Sequence, residues 1–189
     1  MTIAAPDTGK LRPLEPNSLR PRLRLPQAHE AVLDDWERPA LLLGRLIELE
    51  LFAEAARYLA YALPEREAVW WACMCVAHTA LEPSVPERHA LDAAEAWVRR
   101  PDEEMRREAA WAAAAAGYGV PGAWPALAAY WSRRSKPLDM RGGRGVETAI
   151  DRAARRDRPE RRAERLRRFI ASGCDISSGG AGRLPPEAN

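Results

Sequence analysis

Apolar residues recur along most of this chain at spacings of three and four, the period of a helix with one buried face. Leu42, Leu46, Leu49 and Ala53 form one such stripe, and Leu43, Ile47 and Leu51 a second. Phe52, Ala55, Ala56, Leu59 and Leu63 continue the apolar face and leave Glu48, Glu50, Glu54 and Arg57 for water. The stretch from Pro39 to Leu63 therefore predicts one kinked helix or two. Pro64 opens the next, over about 65–81, with Glu65 and Glu67 at the positive end of its dipole. Val69, Cys73 and Val76 line one side of it and Trp70, Met74, Ala77 and Leu81 another, and a helix apolar nearly all round belongs in the middle of a bundle. Pro83 and Pro86 separate it from a helix over about 87–100 that turns Leu91, Ala94, Trp97 and Val98 inward. Pro101-Asp102-Glu103-Glu104 starts another, which carries Met105, Ala109, Ala112, Ala113 and Ala116 and stops at Gly117-Tyr118-Gly119. A short helix over Ala123–Trp131 follows. Val146, Ile150 and Ala153, then Ala163, Leu166, Phe169 and Ile170, predict two more, parted near Pro159. A further short helix over Gln27–Asp35 precedes them all.

These elements predict an all-α fold of roughly six to eight helices stacked as irregular hairpins, either HEAT/armadillo-like or a compact bundle. The repeat option comes from Glu67-Ala68-Val69-Trp70-Trp71-Ala72, which returns about 41 residues later as Glu108-Ala109-Ala110-Trp111-Ala112-Ala113. Residues 1–26, with five prolines at close spacing, are expected to form a flexible Pro/Arg-rich arm, although Leu11, Leu14, Leu19, Leu23 and Leu25 suit a groove. Residues 27–172 form the single helical domain and 173–189 a flexible tail. Ser132 to Arg144 reads as a charged, glycine-rich loop.

At 189 residues the chain can bury a core that needs neither metal nor disulfide. Cys73 and Cys75, two apart on one helix, cannot bridge each other; with Cys174 they read as free thiols of a reducing compartment. No secretory leader and no apolar run of membrane-spanning length is expected, so the location is read as cytoplasmic, without a membrane partner. The net charge of +2 conceals a basic segment at 141–168, where 11 arginines face five carboxylates.

Catalytic chemistry finds little support. The serines lie in loops or the tail, outside any Gly-x-Ser-x-Gly turn. Cys75 and His78 share a helical face, but valine, alanine and tryptophan around them oppose a reactive thiolate. Adding His89 gives three zinc-capable side chains without a second ligand pair, so His78 reads as a buried or rim histidine bonded to a backbone carbonyl. Gly142-Gly143-Arg144-Gly145 before a helix resembles a phosphate cradle but lacks the preceding strand and the Lys-Ser/Thr of nucleotide loops. No catalytic residue, cofactor or metal is expected.

Binding chemistry fits better. Arg158, Arg161, Arg162, Arg165 and Arg168 fall at spacings of three and four, a row suited to an acidic partner or a nucleic-acid backbone. Asp157–Arg161 and Glu164–Arg168 are equally the internal pairs of an ordinary solvated face. Among the tryptophans, Trp70 and Trp71 point about 100° apart on a helix and cannot both face one core. One of them is expected at a groove, with Glu65 and Glu67 around it.

The run Leu63-Pro64-Glu65-Arg66-Glu67-Ala68-Val69-Trp70-Trp71-Ala72-Cys73, Trp97-Val98 before Pro101, Trp124-Pro125-Ala126-Leu127-Ala128-Ala129-Tyr130-Trp131-Ser132 and Arg167-Arg168-Phe169-Ile170-Ala171-Ser172-Gly173 resemble an uncharacterised bacterial family. Its members look all-helical and tend to be encoded near type VI secretion accessory and spike-tip genes. The resemblance spans about residues 40–175 and departs at 133–145, where a longer Pro-rich loop is expected. The residues are read as those of a non-enzymatic protein-binding module, and the resemblance implies that its partner is a secretion effector or spike-tip component, with this chain as adaptor or chaperone. The alternatives are a nucleic-acid binder using the arginine row and a toxin-neutralising immunity protein.

Overall fold

The computed structural model describes residues 9–132 and 140–187, and these are all-helical. Nine α-helices follow one another: α1 Pro16–Leu23, α2 Pro39–Glu48, α3 Phe52–Ala62, α4 Glu65–Thr79, α5 Val85–Arg99, α6 Glu103–Ala116, α7 Ala123–Trp131, α8 Arg141–Arg155 and α9 Arg162–Ser177. Two 3₁₀ helices, Gln27–Asp35 and Pro159–Arg161, lie between them. The count exceeds six to eight because the arm contributes α1 and the Pro39–Leu63 stretch breaks in two. That break falls at Leu49-Glu50-Leu51, where Glu50 takes a left-handed φ of 56°.

Local chemistry sets the boundaries. Asp102 caps α6 by accepting the Met105 N–H (2.9 Å), and Ser84 caps α5 by accepting the Glu87 N–H (3.3 Å). Gly117 ends α6 with φ 76°. The core runs through α4, which packs against α3, α5, α7, α8 and α9, as expected of a helix with so little polar surface. In a solenoid each unit touches only its neighbours. Here α3 and α4 both meet α8 and α9, so the chain closes on itself as a compact bundle. Among the described residues no helix is long and apolar enough to cross a membrane.

Both ends of the chain depart from expectation. In the arm, Pro16 sits in the first turn of α1, where its missing N–H costs nothing. Leu19 and Leu23, one turn apart, are completely buried, and the Arg12 N–H donates to the Ala62 carbonyl (2.9 Å). At the other end α9 runs past Ser172 to Ser177, and the segment after it folds back on α4. There Glu187 N–H donates to the His78 carbonyl (2.8 Å) and Trp70 Nε1–H to the Ala181 carbonyl (2.8 Å).

The glycine-rich motif is also placed differently. Residues 133–139, and with them most of the expected loop and of the departure from the family pattern, lie outside the described residues. Gly142, Gly143 and Gly145 are not in a loop but in the first turns of α8, where they let it approach other backbones. A Cβ on Gly145 would stand 2.8 Å from the Ala128 Cβ and 3.0 Å from its Cα on α7. Gly44, in α2, has nothing within 4 Å of such a Cβ. Gly145→Ala is therefore expected to destabilise by about 1–2 kcal/mol, overpacking outweighing the gain in helix propensity. Gly44→Ala should stabilise by up to about 1 kcal/mol. Urea midpoints of the two variants on opposite sides of the parent would verify both.

Candidate binding surface

The two halves of the 41-residue echo present the same register to the core. Ala68, Trp71 and Ala72 of α4 are buried, as are their counterparts Ala109, Ala112 and Ala113 of α6. Trp70 and Trp111, one position before the buried Trp71 and Ala112, point outward. Their surroundings differ. Trp70 is half-buried beneath the C-terminal segment, whose Ala181 carbonyl takes its indole N–H. Trp111 has no such cover among the described residues and is 75% exposed, against 0% for Trp71.

Trp111 stands on a regular face of α6. Arg107 and Glu108 precede it by a turn, Ala114 and Ala115 follow it by a turn, and Tyr118 lies just past the helix end; all five are exposed. Across the α5–α6 hairpin, His89 Nε2 lies 3.5 Å from Glu108, and the exposed Val85 sits one turn before His89. The result is an indole flanked by alanine methyls and rimmed by polar groups, the composition of an interface hot spot.

The residues expected to edge a groove are largely occupied by the chain itself. Trp71 is core, with Nε1–H donating to the Phe169 carbonyl (2.8 Å), which corrects its assignment as a docking indole. Glu67 takes Lys10 Nζ at 3.4 Å and Glu65 is half-buried, so the acidic start of α4 faces the N-terminal segment. The arginine row is not a row. Pro159 interrupts it, leaving exposed Arg158 before the 3₁₀ turn and Arg161 at the N-cap of α9. Arg162 pairs with Asp151 (3.1 Å) and Arg168 with Glu164 (2.6 Å). Arg161 bonds Glu164 (3.1 Å) and Glu187 (3.0 Å), and Asp157 lies instead 3.6 Å from Arg156. Arg165 is buried, held by Glu187 (2.6 Å) and by the carbonyls of Ala154, Arg156 and Arg158.

The candidate reactive groups are likewise withdrawn. Burial pushes the thiols of Cys73 and Cys75 well above their ordinary range and that of Cys174 up to about 11. His78 is buried edge-on to Phe169, its Nδ1–H donating to the Pro185 carbonyl, as the sequence led one to expect. His89 is exposed on α5, away from it. Ser172 and Ser177 are buried and donate to the carbonyls of Gly182 and Cys174. No cluster of three or more His, Cys, Asp or Glu able to hold a metal occurs among the described residues.

Residues 42–177 match a family described as a family of unknown function, DUF6931. The match begins inside α2 and ends at the last residue of α9, so it contains Trp111 and excludes α1 and the C-terminal segment. No curated protein and no solved structure matches the chain.

Proposed function

The chain belongs to the DUF6931 family, and from that premise we propose that it is a non-enzymatic protein-binding module whose docking surface is the Trp111 face of α6. The carrying observation is the pair of equivalent indoles: Trp70 is capped by an extended segment of its own chain through a carbonyl, while Trp111, in the same register, is open. An extended segment of a partner is the occupant this arrangement fits, with the Trp111 N–H donating to its backbone and the alanine shelf taking an apolar side chain. The withdrawn thiols and the buried, bonded Ser172 and Ser177 support a binding role over a catalytic one.

The resemblance to a family encoded near type VI secretion genes suggests the partner: an effector or a spike-tip component, with this chain as adaptor or loading chaperone. The test is affinity purification of the tagged full chain from its source organism, followed by mass spectrometry. Trp111→Ala is expected to lose the partner that the parent retains, yet to move stability by no more than about 0.5 kcal/mol, since the ring contributes little to the core. Retention of the same partner by a folded Trp111→Ala chain would remove the surface from consideration.

A further inference from the structure

Between the end of α1 and helices α3, α8 and α9 lies a cleft of about 280 Å³ whose lining includes six arginines and only two carboxylates, Glu147 and Asp151. Both carboxylates are already engaged. Asp151 takes Arg155 (3.0 Å) and Arg162 (3.1 Å), and Glu147 takes the Tyr61 hydroxyl (2.7 Å) and Arg57 (3.4 Å). Arg152 turns its guanidinium away, to the Gly119 carbonyl (2.8 Å) and the Trp124 ring.

Two of the lining guanidinium groups, Arg24 and Arg144, make no hydrogen bond or ion pair with any described residue. They also line an adjoining, more open depression of about 480 Å³ with Arg22 and Arg141. Arg24 moreover holds a left-handed backbone, φ 55°, at the C-cap of α1. Glycine is the cheaper residue in that conformation, so the turn does not account for the long cationic side chain there. The cleft thus concentrates positive charge, with the local anions neutralised and two forked donors left over.

We infer that this cleft binds a compact ligand carrying more than one phosphate group, with Arg24 and Arg144 as its principal donors. Guanidinium forks match phosphate oxygens in geometry. Paired phosphates bring several negative charges into a volume this small, as an isolated carboxylate does not. The site lies apart from the Trp111 face and does not depend on the function proposed for it.

Isothermal titration of the full chain with pyrophosphate, at low and at physiological ionic strength, tests the inference. Saturable binding is expected, weakened by about tenfold or more in Arg24→Ala and in Arg144→Ala. Arg88→Ala removes the same charge from an exposed position on α5 outside the cleft and should change affinity by less than about twofold. Thermal melts of the three variants without ligand should coincide with the parent's, because all three side chains are exposed and make no hydrogen bond or ion pair with a described residue. Absence of saturable binding by the parent, or an equal loss in Arg88→Ala, would overturn the inference. So would citrate binding about tenfold more tightly than pyrophosphate, which would make the cleft a polycarboxylate site.

Discussion

Trp71→Ala is expected to lower folding stability by about 4 kcal/mol, the largest effect of any single truncation considered for this protein. The indole is completely buried at the junction of α4 and α9. A Cβ on Gly173 would lie 2.9 Å from Leu59 Cδ1 and 3.2 Å from Trp71 Cε2 and Nε1, so the bare backbone there makes room for both side chains. Truncation removes the apolar surface, opens a cavity between two helices that cannot fully collapse, and takes the indole donor from the Phe169 carbonyl within α9. For a chain of this size the loss corresponds to a fall in melting temperature of roughly 8–16 °C. The comparison with Trp111→Ala is the informative part: one indole should govern stability and the other partner retention. A differential scanning melt in which Trp71→Ala coincides with the parent would contradict the core assignment.

Glu187→Ala should cost about 3 kcal/mol, because breaking a buried pair leaves a charge unmatched. Arg165 is only 2% exposed, and although three backbone carbonyls would still accept from it, none carries a formal charge. The loss is expected to release the C-terminal segment as well, since it removes the ionic links to Arg161 and Arg165 and leaves that end held at His78 by the backbone bonds of Glu187 N–H and the Pro185 carbonyl. Hydrogen exchange at residues 181–187, with enhanced quenching of Trp70 fluorescence, would report that release. A pH dependence accompanies it. The hydrogen bond from Arg165, then the charges of Arg165 and Arg161, hold the Glu187 carboxyl below its ordinary value of 4.5. A carboxyl with a depressed folded pKa stabilises the fold above its unfolded pKa, and that contribution is lost as pH falls through the folded value. Glu187→Gln should therefore flatten the acid side of the stability profile below about pH 4.5 while costing stability at neutral pH. An acid limb as steep as the parent's would place the titrating group elsewhere.

Much of the fold was legible in the chain. Ala123–Trp131 was readable to the residue, and α4, α5 and α6 to within two, because prolines, caps and stop glycines act on backbone dihedrals within a single turn. The arm was misread because five prolines outweighed the Leu19–Leu23 pair, although Pro16 opens a helix at no cost. The glycines at 142–145 read as a loop because a glycine that permits a turn and one that permits close helix packing are identical in sequence; the approach of Ala60 and Tyr61 on α3 and of Ala128 on α7 distinguishes them. For the candidate surface, the 41-residue echo carried a usable signal. Two indoles in one register implied two equivalent positions, but not which would be covered.

The sequence by itself determined the helices between Glu65 and Trp131, their limits to within two residues and the face of each that turns inward, since periodicity and capping are properties of residues three or four apart. The tertiary structure alone decided the fate of the outward positions. Trp70 is covered by a carbonyl 111 residues away, and Arg165 is paired with a carboxylate 22 residues on. Trp111 is left open because no segment of the described chain reaches it. Those outcomes depend on how the chain closes on itself, and the periodicity of a single helix contains no record of which distant segment will arrive.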